Sequence, residues 1–253
     1  VGSEMCIRDR VPMAGDDTTP EGEQVNIYGN HVGSWNFAAT AYLNQWKVKL
    51  YYEHYFDDHS QMFFQYGRWK DGHIGLEITF PKNRFIDTFV YEGLGTKDQT
   101  GPMLYDSFWG EFEEQISAKD NYYNHYLYQG WQHWGMGIGN PLLPGPIYNK
   151  NGQITFISNR VLAHHIGFCG SPCQSLSYRM LLSYSRHWGT YDNPLNEIKK
   201  QFNSLFEVTY APQQLKGWSF TVSGAMDRGS MLGNNYGGML VIRKQGIIKS
   251  GNK

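Results

Sequence analysis

The sequence predicts an all-β protein made of antiparallel strands, and three observations carry that prediction. Apolar and polar side chains alternate with a period of two, tight and long connections alternate along the chain, and aromatic residues are abundant where aliphatic ones are sparse. The alternation is clearest from Trp46 to Phe80. In WKVKLYYEHYF, Trp46, Val48, Leu50 and Tyr52 alternate with Lys47, Lys49, Tyr51 and Glu53, so a strand here has one apolar and one charged face. HIGLEITF repeats the pattern, with Ile74, Leu76, Ile78 and Phe80 set against His73, Glu77 and Thr79. A soluble sheet buries such an apolar face. A membrane barrel turns it to lipid and encloses the polar one, so the alternation alone serves both.

Composition narrows the choice. Of 253 residues only 40% are hydrophobic, yet 16% are aromatic, carried by 18 Tyr, 14 Phe and 8 Trp. Too few Val, Ile and Leu remain for a comfortable two-layer core, whereas Tyr and Trp suit interfacial girdles and sugar-stacking surfaces. A net charge of -1 gives no support to nucleic-acid binding. No run approaches the roughly 18 apolar residues of a spanning helix, so any span has to be made of strands.

Taken in order, VGSEMCIRDR shares no periodicity with the rest of the chain and resembles a translated sequencing-adapter read. Residues 1–20 are accordingly set apart as an artefactual or disordered segment, and 21–253 as the folded unit. Strands are expected at Gln24 to Asn30, Ser34 to Leu43, Trp46 to Phe56, His73 to Phe80 and Phe85 to Tyr91. A long irregular stretch, Glu92 to Ile157, precedes strands at Ser158 to Gly167, Ser175 to Arg186, Ser204 to Tyr210, Trp218 to Asp227 and Gly237 to Ile247. This makes about ten strands. The faces of Phe85 to Tyr91 and of Arg160 to Ile166 are not assignable from the pattern. Asn196 to Phe202 reads as a short helical turn inside a loop.

Connections carry the next step. Asn44-Gln45, Pro81 to Arg84, Cys169 to Gln174 and Ala211 to Gly217 are short, while Asp57 to Gly72, Glu92 to Ile157, His187 to Asn203 and Arg228 to Tyr236 are long. Short and long ends therefore lie on opposite sides, as in outer-membrane barrels with tight periplasmic turns and long extracellular loops. A soluble antiparallel sandwich remains the alternative. With Cys6 in the excluded segment, Cys169 and Cys173 remain, either as a disulfide across a hairpin tip or as two free thiols.

Candidate site residues fall in the loops. Asp120 to Tyr148 holds Tyr122, Tyr123, Tyr126, Tyr128, Trp131, Trp134 and Tyr148 among Asn121, Asn124, His125, Gln129 and His133. Aromatic faces stack on the C–H side of sugar rings, and amides bond hydroxyls; the competing reading is that the rings merely pack the loop into a barrel mouth. Asp57, Asp58 and His59, followed by Ser60, admit a metal or hydrolase reading. Neighbouring strand residues point to opposite sides and no G-x-S-x-G elbow occurs, so loop-tip hydrogen bonding or cation contact is preferred. His164-His165 splits across a strand, and a structural bond from one of them to Glu207 or another enclosed carboxylate is expected. Lys47, Lys49, Arg179 and Arg243 against Glu53, Glu77, Glu207 and Asp227 read as a ladder of opposed charge on the enclosed face.

Five segments together resemble a known family: Tyr51 to Met62, Thr96 to Pro102, Asn121 to Leu142, Asn159 to Gly167 and Asp227 to Gly238. They are similar to the Wzi-like capsule assembly proteins of the Bacteroidetes type, and the similarity runs from about Glu21 to Lys249. The resemblance implies a monomeric outer-membrane β-barrel on the order of 18 strands, of which this chain supplies the C-terminal part. It implies a non-enzymatic role without cofactor or metal, with capsular polysaccharide and outer-membrane lipid as partners. Polysaccharide-binding candidates are then Asp57, Asp58, His59, Tyr122, Tyr123, Asn124, Trp131, Trp134, Asn159, Arg160, Asn234 and Asn235. A diffusion porin or transporter, and a soluble β-sandwich glycan-processing enzyme, are the alternatives. Leu50, Ile78, Leu182 and Phe220 separate them: packed in one interior they favour the enzyme, and as an outward band the barrel.

Overall fold

The computed structural model describes residues 33–56, 71–83, 85–98, 121–124 and 130–246. The expected strand Gln24 to Asn30, and all of the expected loop Asp57 to Gly72 except its last two residues, lie outside them. The protein is all-β, as expected. Nine strands form one antiparallel sheet: β1 (Gly33–Leu43), β2 (Trp46–Phe56), β3 (Gly72–Thr79), β4 (Thr88–Gly95), β7 (Val161–Cys173), β8 (Leu176–Gly189), β9 (Pro194–Tyr210), β10 (Trp218–Gly229) and β11 (Asn235–Lys244). Between β4 and β7 a small separate hairpin, β5 (Gln132–His133) and β6 (Met136–Gly137), precedes a 3-10 turn at Pro146–Tyr148. The order is a simple meander, and among the described residues the sheet is open, with β1 and β11 at its edges.

Register aligns the alternating residues into two opposed faces. Leu50 pairs with Leu76, Leu76 with Tyr91, Tyr91 with Ile166 and Ile166 with Leu182. Further along, Val208 pairs with Val222 and Val222 with Leu240. No described segment covers this apolar row: Leu50 is 53% exposed, Val222 61% and Leu240 65%, while Leu76, Tyr91, Leu182 and Val208 are half-buried among their neighbours. On the other face Glu92 pairs with His165, His165 with Ser183, Ser183 with Asn203 and Asn203 with Asp227. The buried cluster sits against this polar face, where Leu94, Val161 and Ala163 meet Leu143 and Phe156 from the segment between β4 and β7. Leu50, Ile78, Leu182 and Phe220 take no part in that cluster. The faces the pattern left open are thereby assigned: Val90, Glu92, Leu94, Ala163 and His165 share the polar side, opposite Phe89, Tyr91, His164 and Ile166.

Particular residues fix the turns. Asn44 turns the β1–β2 hairpin at φ 55, a left-handed conformation that Asn tolerates. Asn83 accepts from the Phe85 and Ile86 amides at 2.8 and 2.9 Å and donates to Pro81 and Ile86 carbonyls. That side chain holds the connection open as far as Asp87, so the strand expected from Phe85 begins at Thr88 instead. Gly75 leaves room for Tyr51: a Cβ there would lie 2.0 Å from the ring. The phenol crosses the glycine and its hydroxyl donates to Glu92 two strands away.

Two expectations are corrected, and the open choice at the cysteines is decided for free thiols. His187 to Asn203 is not a long loop, and Asn196 to Phe202 is not helical. β8 and β9 continue through them, in register as far as His187 opposite Lys199 and then past a register shift to Gly189 opposite Pro194, leaving only residues 190–193 as the turn. Lys199, Lys200 and Glu197 read as solvated loop because both faces of these strand ends are hydrated, which erases the alternation. Cys169 and Cys173 do not face each other across a hairpin: both lie on β7, opposite Arg179 and Leu176, and both thiols are free. Three residues separate those partners along β8, roughly 10 Å at strand rise, well beyond bonding distance.

Candidate functional site

The segment between β4 and β7 folds across the polar face, and its anchors are mostly sequence-predicted residues in unexpected roles. Asn159, fully buried, donates to the Asn121 side chain at 2.6 Å and the Tyr122 carbonyl at 2.8 Å. Its own carbonyl accepts from Thr96 Oγ1 at 2.7 Å. Tyr122, 3% exposed, donates to Asp71 Oδ2 at 3.0 Å. Asn124 makes a two-way amide pair with Phe156, donating to its carbonyl at 2.9 Å and accepting from its N–H at 2.8 Å. Tyr123 packs edge-on against Phe156 and accepts from the Asn140 amide at 3.1 Å.

The hairpin β5–β6 carries the aromatic tip. Trp134 and Gly135 have φ 52 and 77, and His133 pairs with Met136 across them. Positive φ at both central residues is the mirror-image turn whose twist matches a hairpin. Gly suits the second place; Trp134 holds a conformation that L residues avoid, and its ring is 83% exposed. Tyr148, 66% exposed, stands near the same segment. Trp131, by contrast, is half-buried, and its Nε1 has no hydrogen-bond partner.

Beneath this segment lies a cavity of about 1040 Å³. Its sheet side carries the polar side chains of Glu53, His73, Glu92, Ser183, Ser185 and Asn203 beside Tyr55, Phe56 and Leu94; its loop side is mainly apolar, with Met136, Ile138, Pro141, Leu142 and Leu143 beside Asn140 and Tyr148. His73 bridges two carboxylates, Nδ1 at 3.6 Å from Glu53 and Nε2 at 3.5 Å from Glu92. Ser34 donates to Glu53 at 2.6 Å. His165 Nδ1 lies 2.7 Å from Ser183 Oγ, so its bond is to a hydroxyl and not to Glu207. Glu207 is taken by Arg179 and by Ser223. At the floor Ser185, His187 and Gln201 are each 2% exposed; Ser185 Oγ lies 2.9 Å from His187 Nε2, while His187 Nδ1 has no partner among the described residues.

Of the predicted site residues, Trp134 stands free at the surface. Asn234 and Asn235 are also exposed, although Asn234 accepts from the Gly229 amide and Asn235 donates to the Leu232 carbonyl. Tyr122, Asn124 and Asn159 hold the segment together from inside. Arg160 stacks on Tyr191 at 4.5 Å and donates to the Lys97 carbonyl, away from the cavity. Asp57, Asp58 and His59 lie outside the described residues. The cavity's sheet wall went unrecognised as a site. Its signal was the small-polar period of Ser183, Ser185 and His187, which continues the enclosed face of β8 beyond where aliphatics mark the other.

The architecture defined here is an antiparallel β-sheet whose apolar face is open and whose polar face holds a folded segment over a cavity. No protein-family model matches the chain, and neither a curated protein nor a solved structure matches it.

Proposed function

We propose that the nine strands form part of the wall of a Wzi-like outer-membrane β-barrel that holds capsular polysaccharide at the cell surface as a monomer, without catalysing a reaction on it. The observation that carries this reading is which side of the sheet is covered. A bare row of Leu, Val, Ile and aromatic side chains several strands wide is uncommon on a water-soluble surface, whereas lipid tails meet it without loss. The polar face accepts a folded, hydrogen-bonded segment, as the interior of a plugged barrel does. Trp134 and Tyr148, exposed on that segment, supply flat apolar faces for sugar rings.

The test has two arms. Fractionation of cells expressing the protein should place it in the outer membrane, extractable only with detergent; recovery from buffer alone would remove the barrel. Capsular polysaccharide immobilised on beads should retain the detergent-solubilised protein, with retention reduced several-fold by Trp134→Ala. No retention of the parent protein would remove direct recognition. A plugged interior also favours anchoring over diffusion, so little or no conductance is expected in a planar bilayer.

A further inference from the structure

We propose that the cavity between the sheet and residues 136–145 is itself a saccharide site, taking an uncharged segment of the glycan in preference to an acidic one; this rests on the polysaccharide reading above. The two walls differ in chemistry. On the sheet side, successive strands bring hydroxyl, amide, imidazole and carboxylate groups to one surface, because every second residue of β2, β3, β4, β8 and β9 points there. Opposite them stand mainly proline, leucine, isoleucine and methionine side chains with no hydrogen-bonding capacity of their own, with Asn140 and Tyr148 among them. A sugar ring has the matching asymmetry: hydroxyls at its edge and C–H groups on its face. A purely apolar ligand would strand the polar wall, and a small ion would leave the apolar wall wet.

Charge sets the preference. The carboxylates of Glu53 and Glu92 line the cavity with His73 between them, and burial holds the other two lining imidazoles, His165 and His187, toward the neutral form, so even a fully charged His73 leaves this wall net negative. Arg179, Lys47 and Lys49 do not line the cavity, and among the described residues neither does any other Lys or Arg. A uronate carboxylate entering here would meet like charge with no guanidinium or ammonium to receive it, whereas a neutral hydroxyl donates to either oxygen. At the floor, Ser185 and His187 bond one another through Oγ and Nε2 at 2.9 Å, which holds that end of the polar wall in place. The volume of about 1040 Å³ accommodates several sugar units.

The test uses detergent-solubilised protein with two defined probes, maltotriose and tri-galacturonic acid, read by saturation-transfer NMR and by tryptophan fluorescence titration. Maltotriose should bind at least tenfold more tightly than the acidic trimer. Asn203→Ala and Leu142→Trp, one on each wall, should each weaken maltotriose at least fivefold, while Leu215→Ala, in the β9–β10 connection and outside the cavity lining, should leave it unchanged. Retention on immobilised capsule, measured alongside, separates the two ideas. If capsule is retained but maltotriose binding is absent, or unmoved by the wall variants, the cavity proposal fails and the surface reading stands. If the acidic trimer binds as tightly as the neutral one, the charge argument fails. If neither capsule nor trimer binds, both fall.

Discussion

Glu92 and His73 meet across the β3–β4 pair, with His73 Nε2 3.5 Å from Glu92 Oε1, and the same imidazole reaches Glu53 on β2 through Nδ1. Three strands are thus joined on their polar face by one ring, and Tyr51 adds its hydroxyl to Glu92 from across Gly75. His73→Leu removes the bridge and leaves two carboxylates facing each other. A loss of about 1–3 kcal/mol is expected from urea unfolding. Because the groups act as one network, the loss for His73→Leu with Glu92→Gln should fall short of the sum of the singles by at least about 0.5 kcal/mol. Strict additivity would mean the bridge carries no coupling.

Asn159 is the buried tie between the plug segment and the sheet, with its amide donating twice and its carbonyl accepting once. Asn159→Leu strands the groups it served and should cost about 2–3 kcal/mol. Limited proteolysis should then cut within residues 130–157 well before the strands. Asn234→Ala, at an exposed turn, should change stability by less than about 0.5 kcal/mol. Equal effects from the two would sink the assignment of Asn159 as an internal anchor.

Leu50 and Val222 stand on the bare apolar face, and Ser177 on the opposite one. If lipid meets that face, Leu50→Arg and Val222→Arg should each lower folding stability in bilayers by about 2–4 kcal/mol, against less than about 1 kcal/mol for Ser177→Arg. Refolding yields in lipid vesicles across a urea series report the difference. Were both kinds of substitution tolerated alike, the apolar face would be in water.

The difference between these faces was already written in residues 46–80, since Trp46, Val48, Leu50 and Tyr52 alternate with charges whatever surrounds them. Strand identity and meander order followed from that period and from tight turns such as Asn44-Gln45. The ends of β8 and β9 were not legible, because Lys199 and Lys200 lie where both strand faces are wet and the period conveys nothing. Nor was the role of Asn159 or Tyr122. A side chain that ties a segment to a wall has the same composition as one that binds a sugar, and only burial separates them. The cavity was hidden for a related reason: its polar wall comes from seven strands, β1 to β4 and β7 to β9, so no local motif marks it.

Gly145 holds the plug segment close to its own hairpin. A Cβ built there would sit 2.5 Å from the Gly135 carbonyl oxygen and 2.8 Å from the Gly137 nitrogen, both backbone atoms that no side-chain rotation can relieve. Its φ of -65 is ordinary, so the demand for glycine is one of space and not of backbone conformation. Gly145→Ala must therefore push residues 145–147 off the hairpin, stretching the 2.9 Å bond from the Ile147 amide to Gly135. An overpacking loss of about 1–3 kcal/mol is expected. Gly224 is the control: an added Cβ meets nothing within 4 Å, and Gly224→Ala should be neutral or stabilising by up to about 1 kcal/mol. Because the displaced hairpin carries Trp134, the alanine at 145 should also lower retention on immobilised capsule, while the alanine at 224 leaves it intact. Matching behaviour of the two variants in both unfolding and retention would show that the hairpin is not held by that close approach.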